Sequence, residues 1–188
     1  MRYIFSKLIL LTQIIFCSKK KIFSGKEHIN IEGFRKKLLS PHCIKKDEEI
    51  FLFYAKDKRS SNKEKNTNIY LAKSKDLKYW KTSTKPVIEA FKPESNLRTL
   101  SPSITKTNNE YIMVFEGKSD CSSNIFFARS NNLEHWSINK IPILEGTKNI
   151  FYHSPFIFKN EFNNTLYLYF GKKMKNQSFI CLNIYDDH

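Results

Sequence analysis

Cysteine is scarce in this sequence, and no two cysteines stand close together. The four are Cys17, Cys43, Cys121 and Cys181, and none belongs to a Cys-x-x-Cys pair. The usual spacing of a zinc site is therefore lacking, and neither a metal nor another cofactor is expected. Cys43 and Cys181 lie in apolar, strand-like surroundings and are expected to be buried thiols, whereas Cys121 falls in a polar loop. A disulfide is compatible with export, but no pairing follows from the sequence. Glycine is also rare, with 5 in 188 residues. Turns must therefore rest on Asn, Asp, Ser and Lys. No segment carries a helical apolar period, which argues against a helical fold.

Acidic residues are outnumbered, 18 against 32 Lys and Arg, for a net charge of +14. Such a charge raises the question of nucleic acid or an anionic membrane as partner. The basic residues are mostly lysines scattered along the chain, and the one tight cluster is Lys19-Lys20-Lys21. A phosphate-binding surface concentrates Arg and Lys on one face, so nucleic-acid binding is not expected.

The apolar run Leu8–Phe16 is too short to span a bilayer comfortably. Arg2 and Lys7 precede it, and Cys17 ends it. Residues 1–18 read as a targeting segment. It resembles a bacterial lipoprotein signal, which implies lipidation at Cys17 and an anchor in the cell envelope; Phe16 departs from the small residue that pattern prefers. The alternatives are an uncleaved anchor or plain secretory signal, and a cytosolic protein whose first strand is apolar. Residues 19–36 read as a basic lead-in.

What the chain does contain is a repeat. Ser40-Pro41-His42, Ser101-Pro102-Ser103 and Ser154-Pro155-Phe156 each open a segment. A polar turn and an aromatic strand follow each: Ile50–Tyr54, Tyr111–Phe115 and Leu166–Phe170. The first two copies add a third strand that ends in a similar turn, Ser74-Lys75-Asp76-Leu77-Lys78-Tyr79-Trp80 and Ser130-Asn131-Asn132-Leu133-Glu134-His135-Trp136. The openings are 61 and 53 residues apart (101 minus 40, 154 minus 101). A period near 50 residues made of short strands indicates a propeller or another stacked β array. The expected fold class is all-β, a partial propeller of antiparallel sheets over 37–188, with repeats at about 37–88, 97–145 and 151–188.

In a four-stranded blade, the entry to the first strand and the loop between the second and third share one end. Arg98, Ser101, His42, His153 and Ser154 are therefore expected near one end of the axis, with Glu116 at the end of its strand. The turns holding Asp76, Trp80, Asn132 and Trp136 belong to the opposite end and are expected to be structural. In them a short polar side chain folds back onto backbone and Trp anchors the next strand.

A Ser-Pro or Asp-Pro strand opening, a Tyr/Phe-rich second strand and an Ala-x-Ser-x-Asp-Leu-x-x-Trp turn together resemble the five-bladed β-propeller glycoside hydrolases. These include the arabinanase/β-xylosidase, invertase and mannoside-phosphorylase groups. The resemblance covers about residues 38–185. Asp-box sialidases are the nearest rival, but their turn carries a Gly and places the Trp one residue later. The resemblance implies a carbohydrate partner and a pair of catalytic carboxylates about 5–9.5 Å apart. It also implies that these acids stand at or just before the Pro of successive blades. The positions before Pro hold Ser40, Ser101 and Ser154, and those two before hold Leu39, Leu100 and His153. None is acidic, and a serine hydroxyl neither carries a charge nor offers a useful proton at neutral pH. The implied catalytic set is missing.

Three readings follow. The first is an exported, catalytically degenerate propeller that binds carbohydrate through Arg98, His42, His153, Ser101 and Ser154. The second keeps glycosidase or phosphorylase activity with Glu116 as a substitute acid of raised pKa, against its alternative as an ionic partner of Arg98 or a lysine. The third is a basic surface adhesin or structural protein. The repeat stops within its third copy. This leaves a truncated product, a fragment, or a protomer completed by self-association through open sheet edges.

Overall fold

The computed structural model describes residues 38–58, 66–91 and 98–186. The targeting segment, the lead-in and Cys17 lie outside them. The described residues contain no helix and form eleven strands. The first blade comprises β1 (Leu38–Lys46), β2 (Glu49–Lys58), β3 (Asn66–Ser74) and the two-residue β4 (Lys81–Thr82). The second comprises β5 (Arg98–Lys106), β6 (Tyr111–Lys118), β7 (Ser123–Ser130) and β8 (Ser137–Leu144). The third comprises β9 (Ile150–Asn160), β10 (Thr165–Met174) and β11 (Gln177–Asp186). Within each blade the strands pair antiparallel in chain order. Successive blades touch through single parallel pairings, Thr67 with Arg98 and Ser123 with Phe151. This is the partial propeller that the repeat predicts.

The pleat explains why these apolar runs become strands buried on two sides. In β6, Tyr111, Met113 and Phe115 point to the first blade and join Phe51, Phe53, Ile69 and Leu71 in one core. Their neighbour Val114 points the other way and packs with Ile125, Ile157, Leu168 and Phe170 between the second and third blades. A period of two thus serves two interfaces at once. Phe53, Phe115 and Phe126 are fully buried, and truncation of such a ring costs about 3–5 kcal/mol.

Trp136 lies edge-on to Phe53 across the first interface, ring centroids 5.8 Å apart. Its turn is built as the sequence predicts. Asn132 Oδ1 accepts from the amides of Glu134 and His135, Leu133 takes a positive φ of 69°, and the Trp136 indole donates to Leu133 O. Asp76, Leu77 and Trp80 reproduce the same turn in the first blade.

One expectation fails. Cys43 is exposed, while Cys181 is half-buried. Strand parity is the reason. His42 and Ile44 turn toward neighbouring strands, so Cys43 shares the outward side with Pro41 and Lys45.

Candidate functional site

Each Ser-Pro pair is a β-bulge. The registers of β1 on β2 and β5 on β6 shift between Leu39 and His42 and between Leu100 and Ser103. The pairing of β10 with β9 shifts between Tyr169 and Gly171, opposite Ser154-Pro155. Ser40, Ser101 and Ser154 have φ of 49°, 51° and 49°. A left-handed conformation at a non-glycine residue costs on the order of 1–3 kcal/mol and clusters at functional sites. Pro then removes one ladder donor, so the strand bends at the same point in all three blades.

The bends bring the three openings together. Ser40, Pro41, His42, Ser101, Pro102, Ser103, Ser154, Pro155 and Phe156 line one shallow depression of about 200 Å³. Ser101 Oγ donates to Ser40 Oγ at 3.4 Å. The innermost strands are also laced directly to one another. The amides of Ile157 and Lys159 donate to Ser103 Oγ and Thr105 Oγ1, at 3.0 and 3.2 Å.

His42 closes the β1–β5 seam. Its Nε2 lies 3.1 Å from Ile104 O and 3.2 Å from Ile104 N, so either neutral tautomer finds a partner. Desolvation holds its pKa below the ordinary 6.5, outweighing the opposite pull of the Ile104 backbone bond. His42 thus lines the depression and splints two blades.

Glu116 is buried at 7% exposure. Oε1 accepts from Ser123 Oγ at 2.9 Å, and Oε2 accepts from the amide of Ser154 at 3.4 Å. The single hydroxyl proton of Ser123 is shared between Glu116 Oε1 and Tyr152 O, the latter 2.7 Å away. The carboxylate therefore ties the second blade to the bulge of the third. The ionic partnership expected with Arg98 does not form, because Arg98 turns to the first blade and donates from Nε to Thr67 Oγ1 at 3.2 Å. Arg98 sits on the seam of the first and second blades, outside the serine depression.

His153 stands beside Ser154, with Nδ1 3.3 Å from Ser154 Oγ. Its imidazole lies flat over Gly171, where a Cβ would fall 2.1 Å from Cε1 and 2.6 Å from both ring nitrogens. Only glycine leaves room for this ring. His42, Ser101 and Ser154 therefore share one depression, with His153 and Glu116 each attached to it through Ser154.

Gly171, Ser123, Ser103 and Thr105 escaped the sequence reading. A glycine inside a strand of a glycine-poor chain was a usable signal for close approach. The others look like ordinary strand residues. No group of three or more His, Cys, Asp or Glu side chains is placed to hold a metal ion among the described residues.

The comparisons with known proteins agree with this architecture. No curated protein matches the sequence. Among solved structures, the GH32 β-fructofuranosidase of Bombyx mori superposes with a TM-score of 0.66 at 15% identity, over 81% of this chain and 35% of its own. Sucrose-6-phosphate hydrolase from Lactobacillus gasseri gives 0.66 at 17%, over 81% and 32%. A family 117 glycoside hydrolase from Zobellia galactanivorans gives 0.61 at 15%, over 84% and 57%. This chain thus spans about a third of the length of the Bombyx mori and Lactobacillus gasseri structures. The family model for the glycosyl hydrolases family 32 N-terminal domain matches residues 23–184. By that match the chain belongs to the glycosyl hydrolase family 32 N-terminal domain family.

Proposed function

We propose that this chain is an exported, catalytically degenerate member of its family that binds carbohydrate at the axial serine depression. One observation carries the reading. The three bulges at the heart of the site present Ser40, Ser101 and Ser154, where the resemblance implies acids. Hydroxyls and imidazoles can donate to and accept from sugar hydroxyls, but a serine triplet supplies neither a general acid nor an anionic nucleophile. Glu116 has both oxygens engaged, Oε1 by Ser123 of its own blade and Oε2 by the Ser154 amide of the third, which disfavours it as a mobile proton donor.

The test is a glycan array on the whole protein, followed by titration of any ligand found. Binding that weakens about tenfold in Ser101→Ala, with unchanged thermal stability, supports the reading, one lost buried hydrogen bond being worth about 1.4 kcal/mol. No ligand on the array overturns it. The enzyme reading is tested separately by turnover of aryl glycosides. Hydrolysis by the wild type that Glu116→Gln abolishes would restore Glu116 as an acid.

Export and lipidation at Cys17 belong to the same proposal and rest on the residues 1–18 pattern. Radiolabelled palmitate incorporation that Cys17→Ala abolishes would support them. Self-association is the remaining part. β11 is an edge strand that exposes Phe179, Ile180, Leu182, Ile184 and Tyr185, and such edges pair readily.

A further inference from the structure

Cations from the second and third blades stand at the end of the molecule where the first strands enter. Register places Lys118 opposite Arg98, and Lys172 and Lys173 opposite Tyr152 and Phe151, immediately beyond the Gly171–His153 pair. Lys118 and Lys172 are half-buried and Lys173 is exposed. Neither salt bridge resolved among the described residues, Lys73–Glu134 or Arg129–Glu110, draws on these cations. Of the acids at this end, Glu116 already takes hydrogen bonds from Ser123 and Ser154, and Asp120, exposed in the turn between β6 and β7, enters neither of those salt bridges. The serines beside them carry no charge. Along the strands, Arg98 and its partner Lys118 thus stand three residues before Ser101, and Lys172 pairs two residues before Ser154, so positive charge lies beside the neutral, hydroxyl-lined depression.

We infer that the site selects a saccharide bearing carboxylate or sulfate groups. The neutral ring would rest on the serine floor, and the anionic substituent would meet Lys118, Lys172 and the edge of His153. This deepens the carbohydrate-binding proposal and rests on it. The physical argument is electrostatic. A cluster of one sign raises the local concentration of opposite charge. Hydrogen bonds to a charged acceptor are also about twice as strong as those between neutral groups. His153 matters because the missing side chain of Gly171 leaves room for its ring. Its Nδ1 faces Ser154, and Nε2 makes no hydrogen bond among the described residues.

The test uses the full chain and three probes at moderate salt: a neutral fructo-oligosaccharide, the same oligosaccharide sulfated, and an oligogalacturonate. Calorimetry on the wild type should show the acidic probes bound at least about tenfold more tightly than the neutral one. The double variant Lys118→Gln/Lys172→Gln should erase most of that preference. Gly171→Ala should weaken acidic binding by displacing the imidazole. Lys81→Gln/Lys140→Gln, two exposed lysines on β4 and β8, should change nothing.

Equal loss in the Lys118/Lys172 and control variants would mean that the net charge of +14 attracts polyanions at large, and would overturn the inference. Equal affinity for neutral and acidic probes would overturn it while leaving carbohydrate binding intact. No binding of any probe, combined with an empty glycan array, would remove both.

Discussion

Two glycines offer a quantitative contrast. Gly146 follows β8, and its amide donates to Asn124 Oδ1 at 2.7 Å. A Cβ there would sit 2.4 Å from Ser123 O and 2.8 Å from Ile150 O. Both are backbone atoms of strands at the junction of the second and third blades, so neither can move without disturbing that seam. Gly146→Ala is expected to cost about 2–3 kcal/mol, the upper range for overpacking a closed site. At Gly171 the Cβ is nominally closer, but it meets a half-exposed His153 ring that can swing away. Gly171→Ala is expected to cost about 1 kcal/mol or less, because rotamer change relieves the clash. For a domain of this size the first change should lower Tm by about 5–10 °C and the second by about 3 °C or less. Urea titration read by circular dichroism and intrinsic fluorescence provides both values. A double-mutant cycle sharpens the comparison. His153→Ala should rescue Gly171→Ala and leave Gly146→Ala unchanged. Equal penalties at the two glycines, or rescue of Gly146→Ala by His153→Ala, would refute the packing argument.

Other outcomes follow from the same geometry. Glu116→Gln replaces one acceptor with an NH₂ group facing a hydroxyl or an amide donor. It should destabilise the protein by about 1–3 kcal/mol in urea, and a loss below about 0.5 kcal/mol would contradict the blade-joining role. His42 has a native pKa below 6.5, so the unfolded chain binds its proton first as pH falls. The stability it confers is present above pH 6.5 and declines as pH drops from there toward the lower native value; His42→Gln should flatten that limb in urea midpoints measured from about pH 5 to about pH 7.5. Hydrogen bonds from the Tyr79 and Lys78 amides hold the Asp76 carboxyl below its ordinary 3.8. Its contribution is full above that value and is lost as pH falls through the native pKa. Asp76→Asn should remove this acid sensitivity without unfolding the turn, since Asn132 already serves in the second blade; the check is acid denaturation of the variant beside the wild type.

Much of the fold was legible because the repeat fixes both strand order and blade number. Alternation in Tyr111–Phe115 declares two buried faces, and the Leu77 and Leu133 turns declare their own chemistry. The site was legible only as a set of positions. Nothing in Ser-Pro announces a left-handed serine, because that conformation is imposed by the pairing partner across the bulge. Cys43 was misjudged because local composition is apolar while burial follows parity relative to Ile44. The partnership of Glu116 with Ser123 and Ser154 joins residues 7 and 38 positions apart, and that of His153 with Gly171 depends on register across a bulge. Such contacts exist only after three blades have stacked.

The left-handed serines carry a consequence for placing acids at this axis. Aspartate enters that backbone region more readily than most residues, so the bulge is a socket whose shape does not depend on serine. A single acid at Ser101 should therefore be accepted without remodelling the strand. Two are another matter. The hydroxyls of Ser40 and Ser101 are already 3.4 Å apart, so carboxylates grown from both positions would crowd one another. Like charges that close do not both ionise, and the pair would hold a proton in common. Acids introduced at both positions would behave as one titrating unit, with a single proton passed between them.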